Sequence, residues 1–201
     1  MGKPITAAMV QALREKTGAA MMDCKRALDE AGGDVAKAED NLRIKGVKTA
    51  EKKSGRATSQ GGIGHYLHHN GKTAVIVEVK CETDFVARND KFKEFARNLA
   101  MHIAASKPRW GTKEEVPAEA IEKEKALIAA ESAEEMAKKP EAARVKIIEG
   151  RLQKYYAQHC LVEQPWVMDD KKKVADMVKE LVASIGENIS VGRFARIEVG
   201  E

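Results

Sequence analysis

The chain has 201 residues, 43% apolar and 33% charged, enough for one or two packed domains with long solvated faces. Lys and Arg number 35 against 31 Asp and Glu, interleaved along the chain, and the net charge of +4 does not by itself demand nucleic acid. No run approaches the ~20 consecutive apolar residues that cross a bilayer, and Met1-Gly2-Lys3-Pro4 lacks the apolar stretch of a secretory signal; a cytoplasmic protein away from membranes is expected.

Aromatics are only 4% while Ala, Lys and Glu abound, which favours helix. The first module runs over 1–46 as three short helices. Thr6 caps a helix through Thr17 with Val10 and Leu13 inward, and Gly18 breaks it. Cys24, Ala27, Leu28 and Ala31 share one face of the second helix. Gly32-Gly33 ends that helix, Asp34 caps a third with Val35, Ala38 and Leu42 inward, and Gly46 closes the module. A core so small gives marginal stability alone. Residues 47–62 read as a basic linker, flexible or partly helical, with Lys48, Lys52, Lys53 and Arg56.

A core domain is expected over 63–201. From Ile63 the period becomes two, with Ile63, His65, Leu67 and His69 on one side of a strand. Asn70-Gly71 predicts a type I′ hairpin turn, and the return strand puts Thr73, Val75, Val77 and Val79 on one face, Ala74 and Ile76 on the other. A loop, Thr83 to Asn89, leads to a helix capped by Asn89 or Asp90, with Phe92, Ala96, Leu99 and Ile103 inside and Lys107-Pro108 at its end. Pro117 opens a helix to about Ala137. Lys138-Lys139-Pro140 interrupts, and a second helix runs to about Gln158 with a seam of Val145, Ile148, Leu152, Tyr155 and His159. Its partners on the first arm are Ile121, Ile128 and Met136, which makes a coiled-coil hairpin over about 117–158. After an irregular Gln164-Pro165-Trp166, Asp169 or Asp170 caps a last helix carrying Val174, Val178, Leu181 and Ile185, and Gly186 stops it. Ile189 to Val199 completes a small antiparallel sheet packed with helices. The class is α+β.

Chemistry-bearing patterns are few. The cysteines, Cys24, Cys81 and Cys160, are far apart with no C-x-x-C pair, so buried thiols are expected rather than disulfides or zinc. There is no phosphate loop, G-x-S-x-G or HExxH, and the acidic pairs Glu114-Glu115 and Glu134-Glu135 sit beside lysines on solvated helix faces. His65, His68, His69 and Cys81 cluster in sequence, but strand alternation turns His68 away from His65 and His69, and a metal is not expected. An enzyme is therefore not indicated. Two features ask for more than a scaffold. Met21 and Met22 are consecutive, and neighbours on a helix cannot both point into one thin core; either they serve the core alone, or one faces solvent or a partner. Asp84-Phe85 lies in a loop, where Phe85 either packs back on the sheet or stands out as a wedge. Spacing leaves both alternatives open.

Several stretches resemble the elongation factor Ts family: Thr17-Gly18-Ala19-Ala20-Met21-Met22-Asp23-Cys24-Lys25, Thr83-Asp84-Phe85-Val86-Ala87, and Met101-His102-Ile103-Ala104-Ala105-Ser106-Lys107-Pro108. Glu149-Gly150-Arg151-Leu152, Gln164-Pro165-Trp166-Val167 and the ending Gly192-Arg193-Phe194-Ala195-Arg196-Ile197-Glu198-Val199-Gly200-Glu201 extend the likeness over essentially the whole chain. The resemblance implies a ubiquitin-associated-like N-terminal module, an α+β core and a protruding helical hairpin. It implies guanine-nucleotide exchange on elongation factor Tu during translation elongation, with no cofactor. The chain matches the short members with a single core, for which a homodimer is implied.

By that resemblance Arg14, Met21 and Met22 touch the nucleotide-binding domain of elongation factor Tu. Thr83, Asp84, Phe85 and Val86 match the segment that disturbs Mg²⁺, with Phe85 as a wedge. His68 or His69 lies near the place of a further contact histidine. The alternative from another class is an RNA-binding, translation-associated module without exchange activity, but no base-stacking aromatics interleave the Lys and Arg, and direct nucleic-acid binding is not expected. A small hydrolase or metal enzyme built on the histidine cluster is the other rival.

Overall fold

The computed structural model describes residues 4–133, 137 and 139–201. The expected seam residue Met136, the pair Glu134-Glu135, Lys138 and the start Met1-Gly2-Lys3 lie outside the described residues. The class is α+β, with helices and a three-stranded sheet in the order β1 (Gln60–Leu67), β2 (Thr73–Cys81), β5 (Ile189–Glu198). The chain divides into two compact units that interleave in sequence: Met1–Ile63, Glu78–Ala96 and Asp176–Val191 form one, and Gly64–Val77, Arg97–Ala175 and Gly192–Glu201 the other.

In the first unit, the Thr6 hydroxyl accepts the Met9 N–H at 3.3 Å and starts α1, Ala7–Thr17, which ends where Gly18 takes φ +68°. Helix α2, Met21–Glu30, stops before the left-handed Gly32 and Gly33, and Asp34 caps α3, Val35–Lys53. The three helices enclose Val10, Leu13, Cys24, Ala27, Leu28, Ala38 and Leu42, with Ile5, Met9, Ala19 and Ala31 packed alongside. Val35, expected inside, is exposed: as the first residue of α3 it precedes the turn that reaches the core.

The sequence places the end of α3 at Gly46, yet the helix continues to Lys53. Tertiary contact overrides the glycine's weak helix preference. Ala50 is buried, a Cβ on Gly46 would stand 3.1 Å from that of Ala183, and the Lys53 ammonium donates to the Gly186 carbonyl.

The hairpin strands are β1, Gln60–Leu67, and β2, Thr73–Cys81. Asn70-Gly71 does turn the chain, but not as a type I′ turn: Gly71 has φ +69° and Asn70 keeps a negative φ. A bond from the Gly71 N–H to the His68 carbonyl closes the turn, and the Asn70 side chain takes the Lys72 N–H, which removes the need for a second left-handed residue. On β2, Thr73, Val75, Val77, Val79 and Cys81 are buried, while Ala74 and Ile76 are exposed. The side of β1 carrying Ile63, His65 and Leu67 faces solvent.

After β2 comes a one-turn helix α4, Asp84–Ala87, then α5, Asp90–Ser106, with Phe92, Ala96, Leu99 and Ile103 buried on the expected face. In the second unit, α6, Ala118–Glu131, and α7, Glu141–His159, contact each other. Val116, Tyr156 and Cys160 form a buried cluster flanked by Trp110, Ile121, Leu152 and Tyr155. The expected irregular stretch is instead β3, Pro165–Trp166, paired antiparallel with β4, Asp169–Lys173. Asp169 and Asp170 are thus strand residues, and α8 starts later, at Val174, running to Ile185. The last strand, β5, is Ile189–Glu198.

Candidate functional site

The segment singled out after β2 is a rigid turn and not an open loop. Thr83, in extended conformation, caps α4: its hydroxyl accepts the Val86 N–H at 3.4 Å. The same hydroxyl donates to Glu187 Oε1 at 2.7 Å, and the Thr83 N–H donates to Glu187 Oε2 at 3.0 Å. The Thr83 carbonyl accepts the Cys81 thiol at 3.1 Å and the Ala87 N–H at 3.3 Å. All polar groups of Thr83 are therefore engaged. One residue earlier, Glu82 accepts the Asn188 N–H at 2.6 Å and pairs with Arg56 at 3.4 Å. The Asn188 backbone donor, assisted by Arg56, holds the Glu82 carboxyl below its usual range. Burial pushes the Cys81 thiol up, with the Glu187 charge adding to it.

On this fixed base Phe85 is 79% exposed, so the alternative in which it packs back on the sheet is not the one realised. Asp84 pairs with Arg88 at 2.9 Å on the helix surface, and Val86 is half-buried. A large aromatic held in water by a capped turn contributes nothing to the core.

The N-terminal residues lie in the same unit. Met21 is 42% and Met22 65% exposed, so neither belongs to the core. Both open α2 directly after the Gly18 turn, and Arg14 is exposed on α1. The Gly18 carbonyl accepts the Ser184 hydroxyl at 3.2 Å, and Ser184 accepts the Lys91 ammonium at 3.0 Å; α8 and the start of α5 thereby hold the turn that presents the methionines.

In the second unit, His68 Nδ1 and the Tyr66 hydroxyl are 3.0 Å apart, and the His68 and His69 rings are 4.2 Å apart at 55°. Among the described residues, no group of three or more His, Cys, Asp or Glu is placed to hold a metal ion. No described helix is long and apolar enough to cross a membrane. Sequence reasoning missed Glu187 and Asn188: they follow the Gly186 helix stop and read as a connection, and their partners lie more than a hundred residues earlier, so no local signal marks them.

The family model described as Elongation factor TS matches residues 3–201. The chain belongs to the elongation factor Ts family. An elongation factor Ts of Anaeromyxobacter sp. (strain K) is 55% identical over 197 residues, 98% of this chain and 89% of the relative. The elongation factor Ts of Solidesulfovibrio magneticus is 54% identical over 98% of both chains. That of Thermotoga petrophila is 54% identical over 193 residues, 96% of this chain and 95% of its own. Membership in the elongation factor Ts family carries the role of a nucleotide-exchange factor in protein synthesis.

Proposed function

We propose that the chain releases GDP from elongation factor Tu through two contacts, with Arg14, Met21 and Met22 on its nucleotide-binding domain and Thr83, Asp84, Phe85 and Val86 at its Mg²⁺ site. The observation that carries this reading is Phe85, 79% exposed on a turn whose base is hydrogen-bonded throughout. Inserted between side chains of the GTPase, Phe85 gains about 1.5–3 kcal/mol from burial, a gain available only in the open, nucleotide-free form. By linkage, a factor that prefers the nucleotide-free GTPase weakens GDP by the same ratio, tenfold for each ~1.4 kcal/mol. Displacing Mg²⁺ removes the cation that neutralises the phosphates. No covalent step is involved. His68 or His69 supplies a further contact.

The test is GDP release from elongation factor Tu loaded with a fluorescent GDP and chased with unlabelled nucleotide. The chain accelerates release, and Phe85→Ala removes most of that acceleration. Wild-type acceleration by Phe85→Ala shifts the mechanism to the methionines. No acceleration by the unaltered chain sinks the reading.

The same proposal takes 1–46 as a ubiquitin-associated-like module, 47–62 as the basic linker, helical through Lys53, and 63–201 as the core, with α6 and α7 as a coiled-coil hairpin in a cytoplasmic protein. It also takes the chain as a homodimer. The support is an exposed apolar sheet side in the second unit, where Leu67, Ile76, Ile197 and Val199 are 66%, 54%, 70% and 72% accessible. Monomers rarely expose contiguous apolar patches beyond a few hundred Å². Sedimentation equilibrium gives twice the chain mass, and Leu67→Asp with Ile197→Asp reduces it to one; a monomeric unaltered chain overturns this part.

A further inference from the structure

We propose that Glu187 is the positioning residue of the exchange turn, its carboxylate clamping Thr83 so that Phe85 is held outward before the GTPase arrives. The inference rests on the reading of Thr83–Val86 as the exchange element. Gly186, at φ +89°, turns the chain sharply out of α8, and the next two residues both reach the end of β2. Glu187 takes the Thr83 N–H and hydroxyl, one on each carboxylate oxygen, at 3.0 and 2.7 Å. Asn188, buried, returns its own N–H to Glu82 at 2.6 Å. Its side-chain amide donates to the carbonyls of Ser54 at 3.3 Å and Arg56 at 2.7 Å. The pairs Glu82-Thr83 and Glu187-Asn188 thus bind each other reciprocally.

A two-oxygen grip fixes both the backbone and the side chain of Thr83, where one bond would leave a pivot. That matters because α4 is a single turn, too short to hold its own shape in water. Its cap residue ties it to Glu187, and Phe85 lies two positions on. With the grip released, Thr83 keeps its place in the chain, but the turn samples other conformations. Contact with the GTPase then has to order it first, and misplacement of a contact group by even ~1 Å is felt mainly in the maximal rate.

Stopped-flow GDP release, measured against factor concentration, separates the maximal rate from the half-saturating concentration. Glu187→Ala lowers the maximal rate about tenfold and moves half-saturation by less than about threefold. Glu187→Gln, which keeps one acceptor oxygen and an amide that can bond the Thr83 hydroxyl, stays within about threefold of wild type. Combining Glu187→Ala with Thr83→Ala costs less than the product of the two single changes, since both remove the Glu187–Thr83 hydroxyl bond. Circular dichroism at the assay temperature confirms that each variant is folded. A wild-type maximal rate for Glu187→Ala, while Phe85→Ala is slow, overturns the proposal. So does a loss confined to half-saturation, or one that merely follows the unfolded fraction. A wild-type rate for Phe85→Ala instead removes the underlying reading of the turn.

Discussion

Gln164→Ala removes a buried amide that ends two helices at once. Gln164 is 3% exposed, and its Nε2 donates to the carbonyls of Ser106, the last residue of α5, at 3.2 Å and Gln158, near the end of α7, at 2.7 Å. Both belong to the C-terminal carbonyls that no helix can satisfy internally. Its Oε1 lies 3.0 Å from His102 Nε2. Because the Val167 N–H can only donate, at 3.2 Å to Nδ1, the ring proton sits on Nε2 and is donated to Gln164. Truncation leaves two carbonyls and one imidazole N–H unpaired, each worth about 1–3 kcal/mol when desolvated. With one carbonyl relaxing toward water, the other two groups at about 1–2 kcal/mol each give an expected loss of about 2–4 kcal/mol. Both tryptophans, Trp110 and Trp166, lie in the second unit, so urea unfolding followed by their fluorescence reports on that unit. The midpoint falls with the slope unchanged. A loss below about 1 kcal/mol would refute the double-cap argument.

His102 carries a pH signature. Burial holds its imidazole below the ordinary range, against the opposing hydrogen bond with Gln164. The unfolded chain then binds more protons once the pH drops below ~6.5, so stability declines from there down to the folded-state pKa, by at most ~1.4 kcal/mol per unit. His102→Gln, compared with wild type between about pH 6.5 and 5, shows a shallower decline; identical slopes would contradict a buried neutral ring. Cys160 is fully buried, and desolvation with the Glu163 charge raises its thiol to about 11. At pH near 8 about one thiol in a thousand is ionised, so iodoacetamide labels Cys160 at least a hundredfold more slowly in the folded chain than in urea; equal rates would show the site to be open.

What the sequence made legible follows from where the information sits. Inward faces of helices depend on spacing within one segment, and Cys24, Ala27 and Leu28 or Phe92, Ala96, Leu99 and Ile103 came out as read. The alternation of β2 did too. Two misreadings came from tertiary contact: α3 passes through Gly46 because Ala183 packs on it, and Asp169-Asp170 look like a cap but lie in β4, which pairs with β3. The hairpin turn failed differently, since Asn70 met the demand with its side chain rather than its backbone. At the site, periodicity left Phe85 and the methionines undecided between core and surface. Their exposure depends on what the rest of the chain covers, which no local spacing encodes.

The division of labour within the first unit explains why so little of it needs unusual chemistry. An exchange factor gains by binding one state of its partner better than another, and every side chain that must be ordered on contact subtracts from that preference. Here two exposed apolar elements, remote in sequence, are held before contact. Met21 and Met22 follow the Gly18 turn, which is tied through Ser184 to Lys91 at the start of α5. Phe85 rides on a turn tied through Thr83 to Glu187. Ser184 and Glu187 are separated by one helical residue and a glycine, so one stretch of chain fixes both presentations. If both are the contacts proposed above, they engage as a single event, and the second meets its site at an effective concentration set by that support rather than by a flexible link. On the proposed reading, the exposed side chains supply affinity for the GTPase, and the polar contacts behind them keep that affinity from being spent on ordering.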